Sequence, residues 1–227
     1  VNFVAPASDQ TVDLNGETNF YRIEIDKGTD ATYSVFLQAD APANFNLYGP
    51  NDYNLDNEIE QQDQLTENDN ALGLITGTLR IGTNISIPSL NTAGNYCIGA
   101  NGRLWIDGGS VIKDGATAIV PYGVLEISEG YLESTGNSGI TLRENGLLKV
   151  SGGTVNTNNI RTSVQGPENI GGYEQSGGSV TVDGSEGSGA SNEYYIMSLS
   201  YTGNVFKMSG GELTLKNANS KGLLYIN

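Results

Sequence analysis

The residues that could do chemistry in this 227-residue chain are carboxylates, arginines and aromatic side chains, because it has no histidine and one cysteine. Without histidine, Ser-His-Asp and Cys-His nucleophile systems and the usual zinc sites are excluded. The chain also has no GxSxG, GxGxxG or P-loop string. Cys97 lies in an apolar alternation and is predicted to be a small buried residue. The sequence therefore offers no recognisable nucleophilic catalytic set.

The densest group of ionisable residues is the segment 51–70, which has seven carboxylates and no Lys or Arg. Clustered oxygen ligands suit a hard cation such as Ca²⁺. The candidate calcium ligands are Asp52, Asp56, Glu58, Glu60 and Asp63. Their spacing matches no EF-hand, and the simpler interpretation is a solvated acidic loop. Calcium is therefore the one cofactor that the sequence leaves open.

Aromatic side chains supply the second candidate site. Trp105 is the sole tryptophan, and the alternation around it predicts that its side chain points outward. An exposed aromatic ring can stack on a sugar ring, and Tyr122 and Tyr131 lie one repeat further along the chain. These three residues are candidate glycan contacts. The alternative is that a loop or a neighbouring domain covers Trp105.

A glycine-rich repeat of ten residues must position these groups. The five copies are GRLWIDGGSV at 102–111, GVLEISEGYL at 123–132, GLLKVSGGTV at 146–155, GGYEQSGGSV at 171–180 and NVFKMSGGEL at 204–213. The last positions of the copies are therefore 21, 23, 25 and 33 residues apart. A short period that stretches at one point is typical of a solenoid that accepts loop insertions.

The pattern inside each copy predicts a strand with one buried face. The third and fifth positions are mostly large and apolar, and the fourth is polar or exposed in type, which is period-two alternation. A glycine pair then predicts a turn, and a second short strand should follow it. A third short strand is predicted upstream of each copy, as in AIVPYG at 118–123 and GITLRENG at 139–146.

Each repeat has three predicted short strands in about 20 to 25 residues. That is too short for a four-stranded propeller blade of about 40 to 45 residues. The predicted fold is therefore all-β, a right-handed parallel β-helix with coils of roughly 21–25 residues and loop insertions, stacked at about 4.8 Å. Residues 1–70 are predicted to be β-rich N-terminal coils with the acidic loop 51–70, and residues 71–227 to be regular coils. We expect one continuous solenoid that is a fragment of a longer chain.

This fold makes a prediction about register. The fourth positions of successive copies should be neighbours, and they form what we call the outer row. A shorter relative of the copies, GTLRIGTNI, begins at Gly77 and has Arg80 at its fourth position. The outer row is therefore Arg80, Trp105, Glu126, Lys149, Glu174 and Lys207. From Glu126 onward the sign of the charge alternates, which favours adjacent strands. Tyr173 and Gln175 occupy interior positions, so a local distortion is predicted in their copy.

Charge and hydropathy exclude some partners. The net charge of −15 disfavours nucleic acid and anionic membranes. No run of about 18 apolar residues occurs, so no membrane span is predicted. The simpler interpretation of this charge is solubility, or adaptation to an extracellular milieu rich in salt or divalent cations.

Several motifs resemble very large secreted or cell-surface β-helical proteins of Bacteroidetes. The motifs are NFYRIEIDKG, FNLYGPN, NALGLITGTLRIG, RLWIDGGSV, AIVPYGVLEIS and the repeated SGGTV. The resemblance implies a non-enzymatic adhesin-like segment, exported by the type IX secretion system and serving surface display, adhesion and reach. It implies surface glycans, other cell-surface proteins and the outer-membrane secretion machinery as partners, and it brings no catalytic residues.

The alternative function is a polysaccharide-binding or polysaccharide-degrading, lyase-like β-helix. A lyase of the pectate type needs an arginine base beside a calcium-binding carboxylate cluster. Arg143 and Arg161 lie in neighbouring repeats with Glu144 nearby, but no such cluster surrounds them. Surface salt bridges are the simpler role for these arginines.

Overall fold

Strands make up most of the chain. The computed structural model describes residues 1–4, 8–48, 71–89, 95–115, 118–135, 139–162, 171–184, 195–200, 202–217 and 222–226. Within these ranges, 17 strands form one sheet and two form a second, and the helical structure is one 3-10 turn at Pro42–Asn44. The predicted all-β class is confirmed.

The strands fall into two sets along the sequence. The first set is β1 (Asn2–Phe3), β2 (Gln10–Leu14), β3 (Thr18–Phe20), β4 (Ile23–Asp26), β5 (Ser34–Ala39), β6 (Phe45–Leu47), β7 (Leu72–Ile81) and β8 (Ser86–Ile87). The second set is β9 (Tyr96–Lys113), β10 (Ile119–Pro121), β11 (Val124–Ser134), β12 (Ile140–Leu142), β13 (Leu147–Val150), β14 (Thr154–Thr157), β15 (Ile160–Thr162), β16 (Gly172–Asp183), β17 (Met197–Leu199), β18 (Val205–Lys216) and β19 (Leu224–Ile226).

The described strands pair in parallel, each with the equivalent strand of the next copy. Strand β11 lies between β9 on one side and β13 and β14 on the other. The short upstream strands form their own series, in which β10, β12, β15, β17 and β19 pair in turn. Strands β4 and β5 both pair with β7, so strands before the acidic segment belong to the same sheet as the glycine-rich repeats.

The register confirms the predicted outer row. Trp105 pairs with Arg80 on one side and with Glu126 on the other. Glu126 then pairs with Lys149, Lys149 with Glu174, and Glu174 with Lys207. Phe36 of β5 pairs with Arg80 and extends the row by one strand.

Aliphatic side chains on either side of the outer row form the core. The most buried of them are Leu79, Leu104, Leu125 and Leu148 in one row and Ile81, Ile106, Ile127 and Val150 in the next, all at most 1% exposed. Burying each such side chain stabilises the fold by about 1.5–3 kcal/mol. Because the core consists of repeated rows, the copies at 102–111, 123–132, 146–155 and 171–180 each pack against a neighbouring strand on both sides.

The predicted break between two strands in each copy is wrong for most copies. Strands β9, β11, β16 and β18 each run through their glycines as one continuous strand. Register shifts mark the glycines instead, as between Ile127 and Glu129 and between Gln175 and Ser176. Only the copy at 146–155 has two separate strands, β13 and β14. The glycines therefore act mainly as bulges, which bend a strand without ending it.

Gln175 and Tyr173 are satisfied inside the core. The Tyr173 hydroxyl donates a 2.7 Å hydrogen bond to Gln175 Oε1, and Gln175 Nε2 donates to the carbonyl of Glu212 at 3.0 Å. Tyr173 also stacks on Phe206, with 5.4 Å between the ring centroids. Both residues keep the register of Leu148 and Val150 in the preceding copy, and the register toward the following copy shifts only after Gln175.

Glycine is required where the backbone of one copy meets the backbone of the next. A Cβ atom at Gly152 would lie 2.1 Å from the carbonyl oxygen of Ser128, and one at Gly177 would lie 2.2 Å from that of Ser151. Both distances are far below van der Waals contact, and the obstacle is backbone, which cannot rotate away. The bend repeated in these two copies therefore depends on the absence of a side chain.

We expect Gly152→Ala to destabilise the fold by about 1–3 kcal/mol or more, because the new methyl group forces two copies apart. Gly16→Ala is the matched control, since no atom lies within 4 Å of a Cβ at that position. The measurement is the free energy of unfolding by denaturant. Equal stability of the two variants would contradict this account of the bend.

Candidate functional site

Trp105 is the second residue of the outer row and lies on strand β9. Its neighbours Leu104 and Ile106 are buried in the core, and the Trp105 side chain is half-buried on the opposite face. The alternation predicted from the sequence is therefore present at this position. The surroundings of the ring decide what it could bind.

Two arginines contact the Trp105 ring. The guanidinium carbon of Arg80 lies 4.5 Å from the ring centroid, and that of Arg103 lies 4.3 Å from it. Arg80 also lies 4.3 Å from the ring centroid of Phe36, so its guanidinium is held between two aromatic rings. Such cation–π contacts are worth about 0.5–2 kcal/mol, depending on burial. A sugar stacking on Trp105 would compete with these arginines.

Hydrogen bonds close this group into a ring of side chains. Trp105 Nε1 donates a 2.7 Å hydrogen bond to Ser128 Oγ, and Ser128 donates one of 2.7 Å to Asp107 Oδ1. Arg80 Nε donates to the other oxygen of Asp107 at 2.7 Å. Partial burial acts to raise the pKa of Asp107, but the hydrogen bond from Ser128 and the charge of Arg80 outweigh it, and the pKa lies below its usual value.

Glu126 joins the aromatic group to the charged part of the outer row. Its buried carboxylate lies 3.1 Å from Arg103 Nη2 and 3.1 Å from Lys149 Nζ. Because Glu126 is only 9% exposed, these ion pairs are less screened than surface pairs. The Lys207–Glu174 pair at 3.9 Å is exposed and contributes little.

We call Arg80, Arg103, Trp105, Asp107, Glu126 and Ser128 the outer cluster. Its polar groups are engaged largely with one another across three copies of the repeat. Sequence reasoning singled out Trp105 but missed Arg103, Asp107 and Ser128. Their positions could have predicted this. Each lies two residues before or after an outer-row residue, and residues two apart in a strand lie on the same face.

The other two aromatic candidates lie in different rows. Tyr122 follows β10, packs against a small buried cluster of Cys97, Ala118 and Val120, and accepts a 3.3 Å hydrogen bond from Arg143 Nη1. Cys97 is buried, as predicted.

Tyr131 pairs with Ser110 and Thr154 in the second half of β11. Its hydroxyl donates to Glu133 and accepts a 3.1 Å hydrogen bond from Asn156. Partial burial and the neighbouring Glu133 carboxylate raise the pKa of Tyr131. Trp105 lies on β9, Tyr122 follows β10 and Tyr131 lies in the second half of β11, so the three candidates are in three different rows. Glycan contact by these residues stays a prediction.

The candidate calcium ligands Asp52, Asp56, Glu58, Glu60 and Asp63 lie outside the described residues. Within the described ranges, no three His, Cys, Asp or Glu side chains are grouped as metal ligands would be. Calcium binding by the acidic segment stays a prediction.

Lys113 has the most perturbed amine among the described groups. It is 1% exposed, and its Nζ lies 4.8 Å from the ring centroid of Tyr96. Burial lowers the pKa of Lys113 to about 8, although Asp114 partly opposes this. Keeping this buried amine charged therefore costs stability, because burial disfavours the protonated form.

Comparison of the chain with protein-family profiles, with curated proteins and with solved structures gives no significant match. No helix in the described ranges is long and apolar enough to span a membrane.

We expect Arg80 and Trp105 to be energetically coupled. In a double-mutant cycle of Arg80→Met and Trp105→Leu, the coupling should be about 0.5–2 kcal/mol in unfolding free energy. Lys216→Met combined with Trp105→Leu is the control and should be additive, because Lys216 pairs with Asp183 on distant strands. An additive Arg80–Trp105 cycle would show that the ring contact stabilises nothing.

We expect Lys113 to make stability depend on pH. The unfolded chain binds this proton more tightly, so the unfolding free energy should rise by about 3 kcal/mol as pH increases from about 8 to 10.5. Lys113→Met should be more stable than the parent chain at pH 7 and should lack this part of the slope. Parallel stability–pH curves for the two proteins would contradict the prediction.

Proposed function

We propose that this chain is a right-handed parallel β-helix. Two findings support this fold: the parallel pairing of equivalent strands in successive copies and the steps of 21 to 33 residues between them. A parallel pair needs a crossover connection, and crossovers between parallel strands are almost always right-handed.

We propose further that the segment is a non-enzymatic part of a secreted or cell-surface adhesin-like protein, serving surface display, adhesion and reach. The observation that carries this proposal is the outer cluster, in which the conspicuous side chains bond to one another between copies. Groups used in this way stabilise a stack and are not free to transfer protons to a substrate. A net charge of −15 suits an exposed extracellular surface.

The proposed partners are surface glycans and other cell-surface proteins, with the outer-membrane secretion machinery as the export route. Calcium held by residues of the acidic segment 51–70 is a further proposal. Calorimetry with millimolar Ca²⁺ tests it: heat of binding, or a raised melting temperature, supports a site, and neither result would leave the segment as a solvated acidic loop.

A tandem insertion tests the fold. Three additional copies of residues 123–145 should lengthen the particle by about 14 Å in solution scattering, since each coil adds about 4.8 Å. A Gly/Ser linker of equal length inserted at residues 185–190 is the control and should add no rigid length. An unchanged long axis in the tandem variant would contradict a stacked solenoid.

An assay of polysaccharide breakdown tests the function. We expect the purified chain to release neither unsaturated nor reducing ends from acidic or neutral polysaccharides, with or without Ca²⁺. Labelling of intact source cells by an antibody to the chain should also succeed without permeabilisation. Breakdown of any polysaccharide would contradict the proposed display function and support the polysaccharide-degrading alternative.

A further inference from the structure

A small cleft opens on the outer face of the last described copies, away from the Trp105 ring. It has a volume of about 190 Å³ and is lined by Lys149, Glu174, Gln175, Ser176, Lys207 and Ser209. Lys149, Glu174 and Lys207 are consecutive members of the outer row. The register of the sheet, and not a loop, therefore positions the charged groups of this cleft.

The serines of the cleft differ from the serines at the same repeat position in earlier copies. Ser128 is held by Trp105 and Asp107, and the Ser151 hydroxyl reaches the carbonyl of Ile127 at 3.5 Å. Ser176 and Ser209 are exposed, and in the described part of the chain no hydrogen bond engages either hydroxyl. Two hydroxyls with unused capacity thus face the same small space.

The charge of the cleft is opposite to that of the chain. Two lysines and one glutamate line it, which gives a local charge of +1 in a chain of −15. Lys207 is 67% exposed, and its Nζ lies 3.9 Å from Glu174, too far for a strong hydrogen bond. Lys207 is therefore available to an anionic group, whereas Lys149 already contacts Glu126.

The volume limits what could bind. Pockets for drug-sized ligands are roughly 300–1,000 Å³, so this cleft of about 190 Å³ suits a single small ring or the end of a chain. The groups that line it are polar and include no aromatic ring. A ligand must therefore bring an oxyanion for the lysines together with hydroxyls for the serines and Glu174.

We propose that this cleft binds one carboxylate-bearing sugar unit, such as a hexuronic acid residue at the end of a glycan. Lys207 would contact the carboxylate, with Lys149 adding to the positive potential. Ser176 and Ser209 would donate to hydroxyl oxygens of the sugar, and Glu174 would accept from another sugar hydroxyl. This inference rests on the proposed adhesive function and names the ligand class for it.

The experiment is an NMR titration of the ¹⁵N-labelled full chain, in which the amide chemical shifts report binding. The probes are glucuronate, glucose and inorganic phosphate, which separate the acidic sugar from its ring and from its charge. Glucuronate should change the chemical shifts of the amides around Ser176 and Ser209. A higher salt concentration should weaken glucuronate binding. Phosphate and glucose should bind the cleft at least about tenfold more weakly than glucuronate does. Phosphate lacks the sugar hydroxyls, and glucose lacks the carboxylate.

Two variants test the assignment against a matched control. Lys207→Gln should weaken glucuronate binding at least about tenfold, as expected when a charge-assisted hydrogen bond is lost. Lys216→Gln lies on the same strand, also removes an exposed lysine and should have no effect. Trp105→Ala should leave binding unchanged, which separates this cleft from the outer cluster. Unchanged melting temperatures verify that the variants fold.

Three results would overturn the proposal: no shifts at tens of millimolar glucuronate, equal binding of phosphate, or equal loss in Lys207→Gln and Lys216→Gln. Equal binding of phosphate would show a site for any oxyanion and not for a sugar. None of these results bears on the tandem-insertion or breakdown assays, so failure of this site is distinguishable from failure of the proposed function.

Discussion

In the copies at 123–132 and 146–155, the backbone approaches that of the preceding copy so closely at two bends that no side-chain carbon fits between them. At one bend, a Cβ at Gly152 would meet Ser128 O at 2.1 Å; at the other, a Cβ at Gly146 would meet Pro121 O at 2.1 Å. These contacts let the strands between the bends keep hydrogen-bonding distance. The rows of leucine and isoleucine, the outer row and the cleft all follow from that spacing.

Much of the fold could be predicted because aligning the copies of a repeat shows which residues occupy equivalent positions. Aligning the copies by their glycines placed Trp105, Glu126 and Lys149 side by side, and the register agrees. The continuity of β16 could not be predicted in the same way, since a glycine pair such as Gly177-Gly178 can either end a strand or form a bulge within it. Which of the two happens depends on how the neighbouring copy pairs, and local sequence does not contain that information.

The candidate site could be predicted only in part. The exposed face of Trp105 follows from period-two alternation, but its partners depend on distances between copies. Asp107 reaches Arg80 across 27 residues of sequence, and Ser128 reaches Trp105 across 23. The interior Lys113 was missed for a related reason, because its position two residues after Val111 places it inward while its type suggested a surface residue. Tertiary context overrode residue type there.

The buried pair Tyr173 and Gln175 gives one copy a polar interior that carries its own hydrogen-bond partners. The Tyr173 hydroxyl donates to Gln175 Oε1, and Gln175 Nε2 donates to the carbonyls of Gly177 and Gly178 in the same copy and to that of Glu212 in the following one. Because all but one of these partners belong to the same copy, the amide stays paired whatever the neighbouring copy provides. The bond to Glu212 then adds the net contribution of one ordinary hydrogen bond, about 0.5–1.5 kcal/mol. A glutamine can therefore take an interior position here without leaving a buried polar group unpaired.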